Sequence, residues 1–413
     1  RLRSPTKTFF LNLLQMELAA GELSAAAYYR LFPFLSLLRL KRQTMKKNPY
    51  TGKIVEYHIL QSFPVTCLNR DDVGSPKTAL IGGVPRSRVS SQCWKRRVRM
   101  DLHSLLDNDS NDAEPQFQLG IRTKHISDLV SEACKKLGAT DEQAAICGET
   151  ISQALAKDTL VFISPAECNS FAEYAKEKGF DLQVPAGKEG AKKLKTITQE
   201  LVKLSKKILD KNFNVLDIAL FGRMVAQAPE MEVEAAASFS HAISTHKSVP
   251  EIDYFTALDD MRKPEEQGSA HLGPIEYNSA TYYRYISLDL GQLADTFGIE
   301  EESDEEIKKA VEIFTKALFV AVPTARQHSC SGASPWDYAR VYVRKGQRLQ
   351  VPFETPVRCD NGYLNPSIKA LDSYLDKKEK MCGSLFGKIA GFEWGKNEDY
   401  SIDDLIHGIQ ASI

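Results

Sequence analysis

Between Asn69 and Arg99 the chain reads NRDDVGSPKTALIGGVPRSRVSSQCWKRRVR. After the Asp71–Asp72 pair, the run from Val73 to Met100 carries seven lysines and arginines and no acid. Over the whole chain 53 Lys and Arg stand against 54 Asp and Glu, a net charge of −1, so charge is segregated locally rather than in excess. Any nucleic-acid surface must therefore be a patch. Gly82–Gly83 marks a place where backbone can approach a ligand without Cβ interference. Ser90 and Ser91 offer an N-cap for a helix beginning near Gln92. On that helix Gln92, Lys95, Arg96 and Arg99 share a face at three- and four-residue spacings, while Trp94 and Val98 point toward a core. A glycine turn, a helix N-terminus and a row of cations together suit phosphates, and the length of the row suits a polyanion. A solvated basic helix is the plainer alternative.

With 413 residues and 43% hydrophobic content, the chain can bury a sizeable core in two or more lobes. Its eight cysteines contain no C-x-x-C pair; scattered, and without a signal peptide, they point to reduced thiols in a cytoplasmic protein. Residues 1–44 are apolar and helix-prone, but Glu17, Glu22, Arg30 and Pro33 interrupt any membrane span, and no signal-peptide cleavage site follows. Translated upstream sequence accounts for this extension as readily as a functional arm does, and no role is assigned to it.

The alternation in KIVEYHILQ (53–61) predicts a central strand leading into the basic loop. Residues 101–119 are polar and acidic, as in a linker to an insertion. From Ile126 to Leu209 the pattern is helical, and its last helix sets Leu194, Ile197, Leu201, Leu204 and Ile208 opposite a lysine face. NVLDIALFGRM (214–224) suggests a buried strand ending at Gly222, and EAAASFSHAISTH a small-residue helix. A hairpin arm follows: EIDYFTAL, a tip, and a return strand with Tyr283 and Tyr285 on one face and Tyr282, Arg284 and Ile286 on the other. Residues 304–322 form an amphipathic helix, ARVYVRKGQRLQVPF a basic hairpin, and NPSIKALDSYL a helix with Asn365 as N-cap and Pro366 at its first position. There is no internal repeat. The sum is an α+β sheet domain with two excursions, compatible with a small open sheet of the RNA-recognition type.

A hydrolase would draw on His241, His246 and His271 with Asp259 and Asp260. On a helix, the five-residue spacing in HAISTH would separate its histidines by about 140°, unlike the i, i+4 spacing of a zinc pair. Asp71 and Asp72 could serve as a paired-carboxylate acid/base or magnesium site; the simpler role is to orient Arg70 or cap the turn. No G-x-S-x-G, Walker or dinucleotide motif appears, and nothing in the residues requires catalysis, a cofactor or a metal.

LNRDDVGSPKTALIGGVPRSRVSSQCWKRRVR closely resembles the first palm segment of CasC, the family of backbone subunits in the type I-E CRISPR interference complex Cascade. The resemblance continues through NVLDIALFGRM, FSHAISTHKSVPEIDYFTALDD, QGSAHLGPIEYNSATYYRYISLDLGQL and GYLNPSIKALDSY, covering most of Met45 to about Lys380. It implies an RNA-recognition-type (ferredoxin-like) palm at 45–100, 237–247 and 282–382. Helical fingers would occupy 101–236, a β-hairpin thumb 248–281, and a C-terminal tail 383–413. It implies a non-catalytic subunit that lines up in several copies along a CRISPR RNA. One side of the sheet would grip the guide's sugar–phosphate chain and leave its bases free for complementary target DNA. The other partners implied are the remaining Cascade subunits and, indirectly, a helicase-nuclease; no membrane is involved. The RNA contacts implied are Arg70, Lys77, Ser91, Gln92, Lys95, Arg96, Arg99 and Arg223. Met224 falls at the family's apolar wedge, and Tyr254, Phe255, Thr256 and Leu272 near the kink of the thumb. The charged tip Met261–Gln267 departs from the pattern. An RNA or DNA endonuclease using Asp71/Asp72 or the histidine set is the rival reading.

Overall fold

Alternation along one strand decides the layout. In Lys53–Thr66, Val55, Tyr57 and Ile59 face one layer and Glu56, His58 and Leu60 the other, and all six are buried. Such a strand needs neighbours on both edges and cover on both faces. The computed structural model describes residues 48–108, 117–156, 159–212, 214–257, 260–261, 271–299 and 305–413. The extension 1–44 and most of the tip Met261–Gln267 lie outside the described residues.

The chain opens with β1 (Lys53–Thr66), β2 (Thr78–Ile81), β3 (Val84–Val89) and α1 (Ser91–Asn108). An inserted body follows: β4 (Ile121–Thr123), α2 (Ile126–Lys136), α3 (Asp141–Leu155), β5 (Val161–Ile163), α4 (Pro165–Glu177), α5 (Lys188–Asn212) and α6 (Leu216–Phe221). Next come β6 (Ala237–Phe239), β7 (Ala242–Ser244), β8 (Glu251–Ala257) and β9 (His271–Asp289), then α7 (Leu290–Phe297) and α8 (Glu305–Val320). The last elements are β10 (Tyr338–Lys345), α9 (Leu364–Cys382), β11 (Lys388–Trp394) and α10 (Ile402–Gln410). The main sheet is antiparallel in the order β11-β10-β1-β9-β7-β3-β2, with β6 and β8 also pairing to β9. β4 and β5 form a separate ladder. The architecture is α+β, as the sequence predicts.

Tyr57 and Ile286 join Val311 and Phe314 of α8, Val98 and Leu102 of α1, and Leu405 and Ile409 of α10 in one core. Tyr283, Tyr285, Tyr338 and Tyr342 pack on the opposite face against Leu371 and Leu375 of α9. The inserted body has its own core, including Val130, Ile151, Phe171, Ile197 and Leu201. Trp94 fixes α1 to the sheet: the buried Arg284 guanidinium lies 3.7 Å from its ring and donates to Gln61 Oε1 at 2.7 Å. Desolvation lowers Arg284 to about 9. No helix among the described residues is long and apolar enough to cross a membrane.

Several elements differ from the sequence reading. α1 runs to Asn108, so the expected boundary at 100/101 and the first part of the expected linker 101–119 fall inside a helix. Residues 214–224 supply a short helix, α6, not a strand. The small-residue segment supplies β6 and β7, not a helix, because it pairs with β9 and β3. The basic hairpin is a single strand, β10, which finds its partners in β1 and β11. α9 begins at Leu364 with Tyr363 as N-cap, two residues before the expected start. The tail is integral: β11 extends the sheet, and α10 buries Leu405 and Ile409 in the main core.

The glycine pair closes the β2–β3 hairpin with φ +60° and +75°, the two-residue turn that fits strand twist. A Cβ at Gly82 would lie 1.8 Å from the Glu354 carbonyl oxygen, whereas one at Gly83 meets open space. The close backbone approach is therefore to the protein itself. Gly82→Ala is expected to cost about 2–4 kcal/mol, through steric overlap and a left-handed backbone, and Gly83→Ala about 1 kcal/mol. Urea midpoints of the two variants check the contrast; equal losses would contradict it.

Candidate nucleic-acid interface

The loop before β2 is locked in place. Asp71 Oδ1 accepts from Val73 N and Ser75 N, both at 3.0 Å, and the Asp71 amide donates to Ser75 O at 2.8 Å. Asp71 thus caps a turn through Oδ1, the simpler of the two roles its position suggests. Arg326, 252 residues further along, donates to Gly74 O at 3.1 Å from a left-handed backbone, φ 51°. Lys77 N donates to Asn69 O at 2.9 Å, and Asn69 Oδ1 accepts from Ser90 N at 3.0 Å. Ser90 then starts α1, its carbonyl accepting from Cys93 N at 3.0 Å. Loop and helix are one rigid unit.

On that unit Arg70, Gln92 and Arg96 are exposed, and Lys77, Ser91, Lys95 and Arg99 are half-buried. The Lys95 ammonium lies 5.8 Å from the Phe239 ring centre and the Arg99 guanidinium 5.6 Å from that of Phe162. Desolvation lowers the pKa of both; for Arg99 the nearby Asp217 opposes this, while Arg122 and Arg96 add to it. A desolvated cation on an aromatic face gains when an anion reaches it. Lys77 and Arg96 both bear on Cys93, whose thiol burial pushes up and these cations pull down. The row is thus real at the level of side chains, but it stands on α1 and the adjoining loop. The sheet centre is covered on both faces, so the expectation of an open sheet side gripping RNA gives way to a helix-and-loop surface.

Not every cation of the basic stretch belongs to it. Arg86 is buried and donates to Ser244 O at 2.6 Å and Phe353 O at 2.8 Å. Arg97 Nε donates to Asp101 Oδ2 at 2.9 Å on the same helix. Arg223, expected to contact RNA, has no exposed side-chain surface: its Nη1 lies 2.8 Å from both oxygens of the equally buried Glu167, and its Nε donates to Met231 O at 3.0 Å. It pins α6 and the following loop to α4, and its guanidinium is already engaged by Glu167 and Met231 O. Beside it, Met224 is 74% exposed. Gly222, at φ +76° and tight against Val233 O, makes the turn that puts the arginine inside and the methionine outside. α6 packs on α1, so Met224 leaves the helix that backs the cation row.

On the hairpin arm Tyr254 is 64% and Phe255 41% exposed, and Thr256 is exposed as well; none is core. Thr256 pairs with Leu272 and Ala257 with His271 in the β8–β9 ladder; the side chains of Leu272 and His271 lie outside the described residues. Of the histidine set, His241 and His246 are described, and each has its own separate partners. His241 is at the surface with Nδ1 3.3 Å from Arg88. His246 is buried, stacked on Tyr363 at 3.6 Å, with Nδ1 against Lys247 O and Nε2 accepting from Thr281 N. Asp72 is exposed. No group of three or more His, Cys, Asp or Glu among the described residues is placed to hold a metal. Arg326 was invisible to sequence reasoning because only the fold carries it to the loop.

No curated protein matches the sequence. A chain from a solved "CRISPR RNA-guided surveillance complex, pre-nicking" is similar with TM-score 0.68 and 25% identity, over 87% of this chain and 99% of that one. A chain from a second "CRISPR RNA-guided surveillance complex" gives TM-score 0.55 and 22% identity, over 87% and 98%, a likeness of fold alone. A family model described as CT1975-like protein (Cas_CT1975) matches residues 55–396. That match spans most of the sheet domain and all of the inserted body, and the chain belongs to the CT1975-like family.

Proposed function

We propose that this chain is a non-catalytic, CRISPR RNA-binding subunit of a surveillance complex. The observation that carries the reading is the row from Arg70 and Lys77 through Gln92, Lys95, Arg96 and Arg99 on one rigid loop–helix unit. The fold shared with a chain of an RNA-guided complex supports it. Contacts of this kind go to phosphates and ribose hydroxyls and require no particular base. In the finer reading the chain is a type I-E backbone subunit acting in the cytoplasm. Copies repeat along the guide, other Cascade subunits flank them, and target DNA pairs with the displayed bases before a helicase-nuclease acts. The palm, fingers and thumb correspond to the sheet domain, the inserted body and the β8–β9 arm. Filter binding with guides of unrelated sequence tests the reading. Similar affinities that fall together with salt are expected; strong preference for one sequence would overturn it. Incubating the assembled complex with labelled complementary RNA and magnesium tests the endonuclease rival, which requires cleavage lost in Asp71→Asn.

The wedge role makes a separate prediction. Met224→Ala is expected to lower capture of complementary DNA about tenfold, within the range of one lost stacking contact, while guide affinity stays within about twofold. Equal loss of both would contradict a wedge.

A further inference from the structure

The cation row does not stop where α1 passes the sheet. Arg122, at the middle of β4, lies directly opposite Phe162 of β5. Opposed residues of an antiparallel pair project from the same side of the ladder. Phe162 is buried and carries the Arg99 guanidinium on its ring. One aromatic ring therefore has an arginine from α1 over it and an arginine of the inserted body beside it. Arg122 is exposed. Neither guanidinium is ion-paired to a carboxylate among the described residues. The acid nearest in electrostatic influence, Asp217, is buried with Oδ1 accepting from Gly120 N at 2.7 Å. Two forked cations held together without a surface counter-ion repel each other unless an anion joins them, and a phosphodiester has the oxygens to accept from both.

We propose that Arg99 and Arg122 together clamp one phosphate of the bound RNA, so that the guide bridges the sheet domain and the inserted body. This rests on the RNA-binding reading above and adds a contact on the inserted body that the row on α1 does not include. The clamp adds an RNA-mediated tie between α1 and the β4–β5 ladder, at the place where Phe162 already packs into the core of the sheet domain.

The test uses the full chain and two fluorescein-labelled single-stranded RNAs of unrelated sequence, read by anisotropy over a salt series. Arg122→Ala is expected to weaken both RNAs about fivefold and to reduce the slope of log affinity against log salt by ~0.7, the signature of one lost phosphate contact. Arg122→Lys is expected to recover part of the affinity and the whole slope, with urea midpoints of all variants unchanged. The Arg99→Ala/Arg122→Ala double variant is expected to lose less than the product of the single losses, because one phosphate serves both. Lys124→Ala, which removes an adjacent exposed charge, is expected to leave the slope unchanged. Wild-type binding with no change in Arg122→Ala overturns the clamp alone; a wild type that binds neither RNA overturns the RNA-binding reading itself. An equal effect of Lys124→Ala assigns the loss to the general field, and a loss confined to capture of complementary DNA assigns Arg122 to the other strand. Either result rejects the clamp.

Discussion

Replacing Lys95 and Arg99 together by alanine is expected to lower RNA affinity about a hundredfold at physiological salt, by the same factor for unrelated guides. Each side chain is half-buried over an aromatic ring and held below its ordinary pKa by lost hydration. A phosphate arriving at either one restores a counter-charge in a site where water screens poorly, worth about 1.4 kcal/mol each, or tenfold. Two lost contacts to a single strand also reduce the salt slope by ~1.4. The fold should survive, because neither cation closes a buried ion pair; Trp94 and Val98, which anchor the same helix, are untouched. Electrophoretic mobility shift over a salt series reads both quantities. Unchanged loading would remove the row from the interface, and loss for one guide only would make the site a base reader.

Glu167→Ala is expected to cost about 3–5 kcal/mol, because it leaves a buried guanidinium without its counter-charge. The carboxylate takes both short contacts from Arg223, accepts from Ser164 N at 3.0 Å to close the cap of α4, and accepts from Ser205 Oγ of α5. Three elements of the inserted body meet at one side chain, so hydrogen exchange should show that body losing protection before the main sheet. The paired replacement Arg223→Met with Glu167→Leu removes both charges and is expected to recover most of the stability. It also separates two explanations for any RNA defect in Arg223→Ala. If Arg223 acts only by holding the fold, the stable double variant loads RNA normally. If the double variant is stable yet binds poorly, the residue belongs to the interface after all.

What could be read from residues alone divides by physical cause. β1 and β9 were legible because a two-residue period is strong when both faces are buried in different cores; the side-chain split at Tyr282–Ile286 is as expected. α1 was legible from its cap and its polar face, and with it most of the candidate site. α6 was not: Leu216, Ile218, Ala219 and Leu220 are buried around the full turn, so no stripe remains to distinguish helix from strand. The alanines of 235–242 favour helix by local propensity, but ladder bonds to β9 and β3 outweigh it. Arg223 looked like surface because its partner stands 56 residues earlier, beyond any local pattern. Arg122 carried no local signal for the same reason: its significance depends on Phe162 and Arg99, each brought alongside by folding.

β9 runs from the projecting hairpin into the middle of the main sheet as a single strand, Ile275 facing Asp253 on the arm and Ile286 facing Tyr57 at the centre. The β1–β9 register shifts between Phe63 and Thr66, opposite Ala280 and Asn278, where the arm leaves the sheet. The arm's tilt is inherited from the right-handed coil of the sheet, and a tug at its far end travels along one backbone to the ladder beside Tyr57 and His58. Mechanical strain on the hairpin therefore reaches the innermost strands before it reaches either rim.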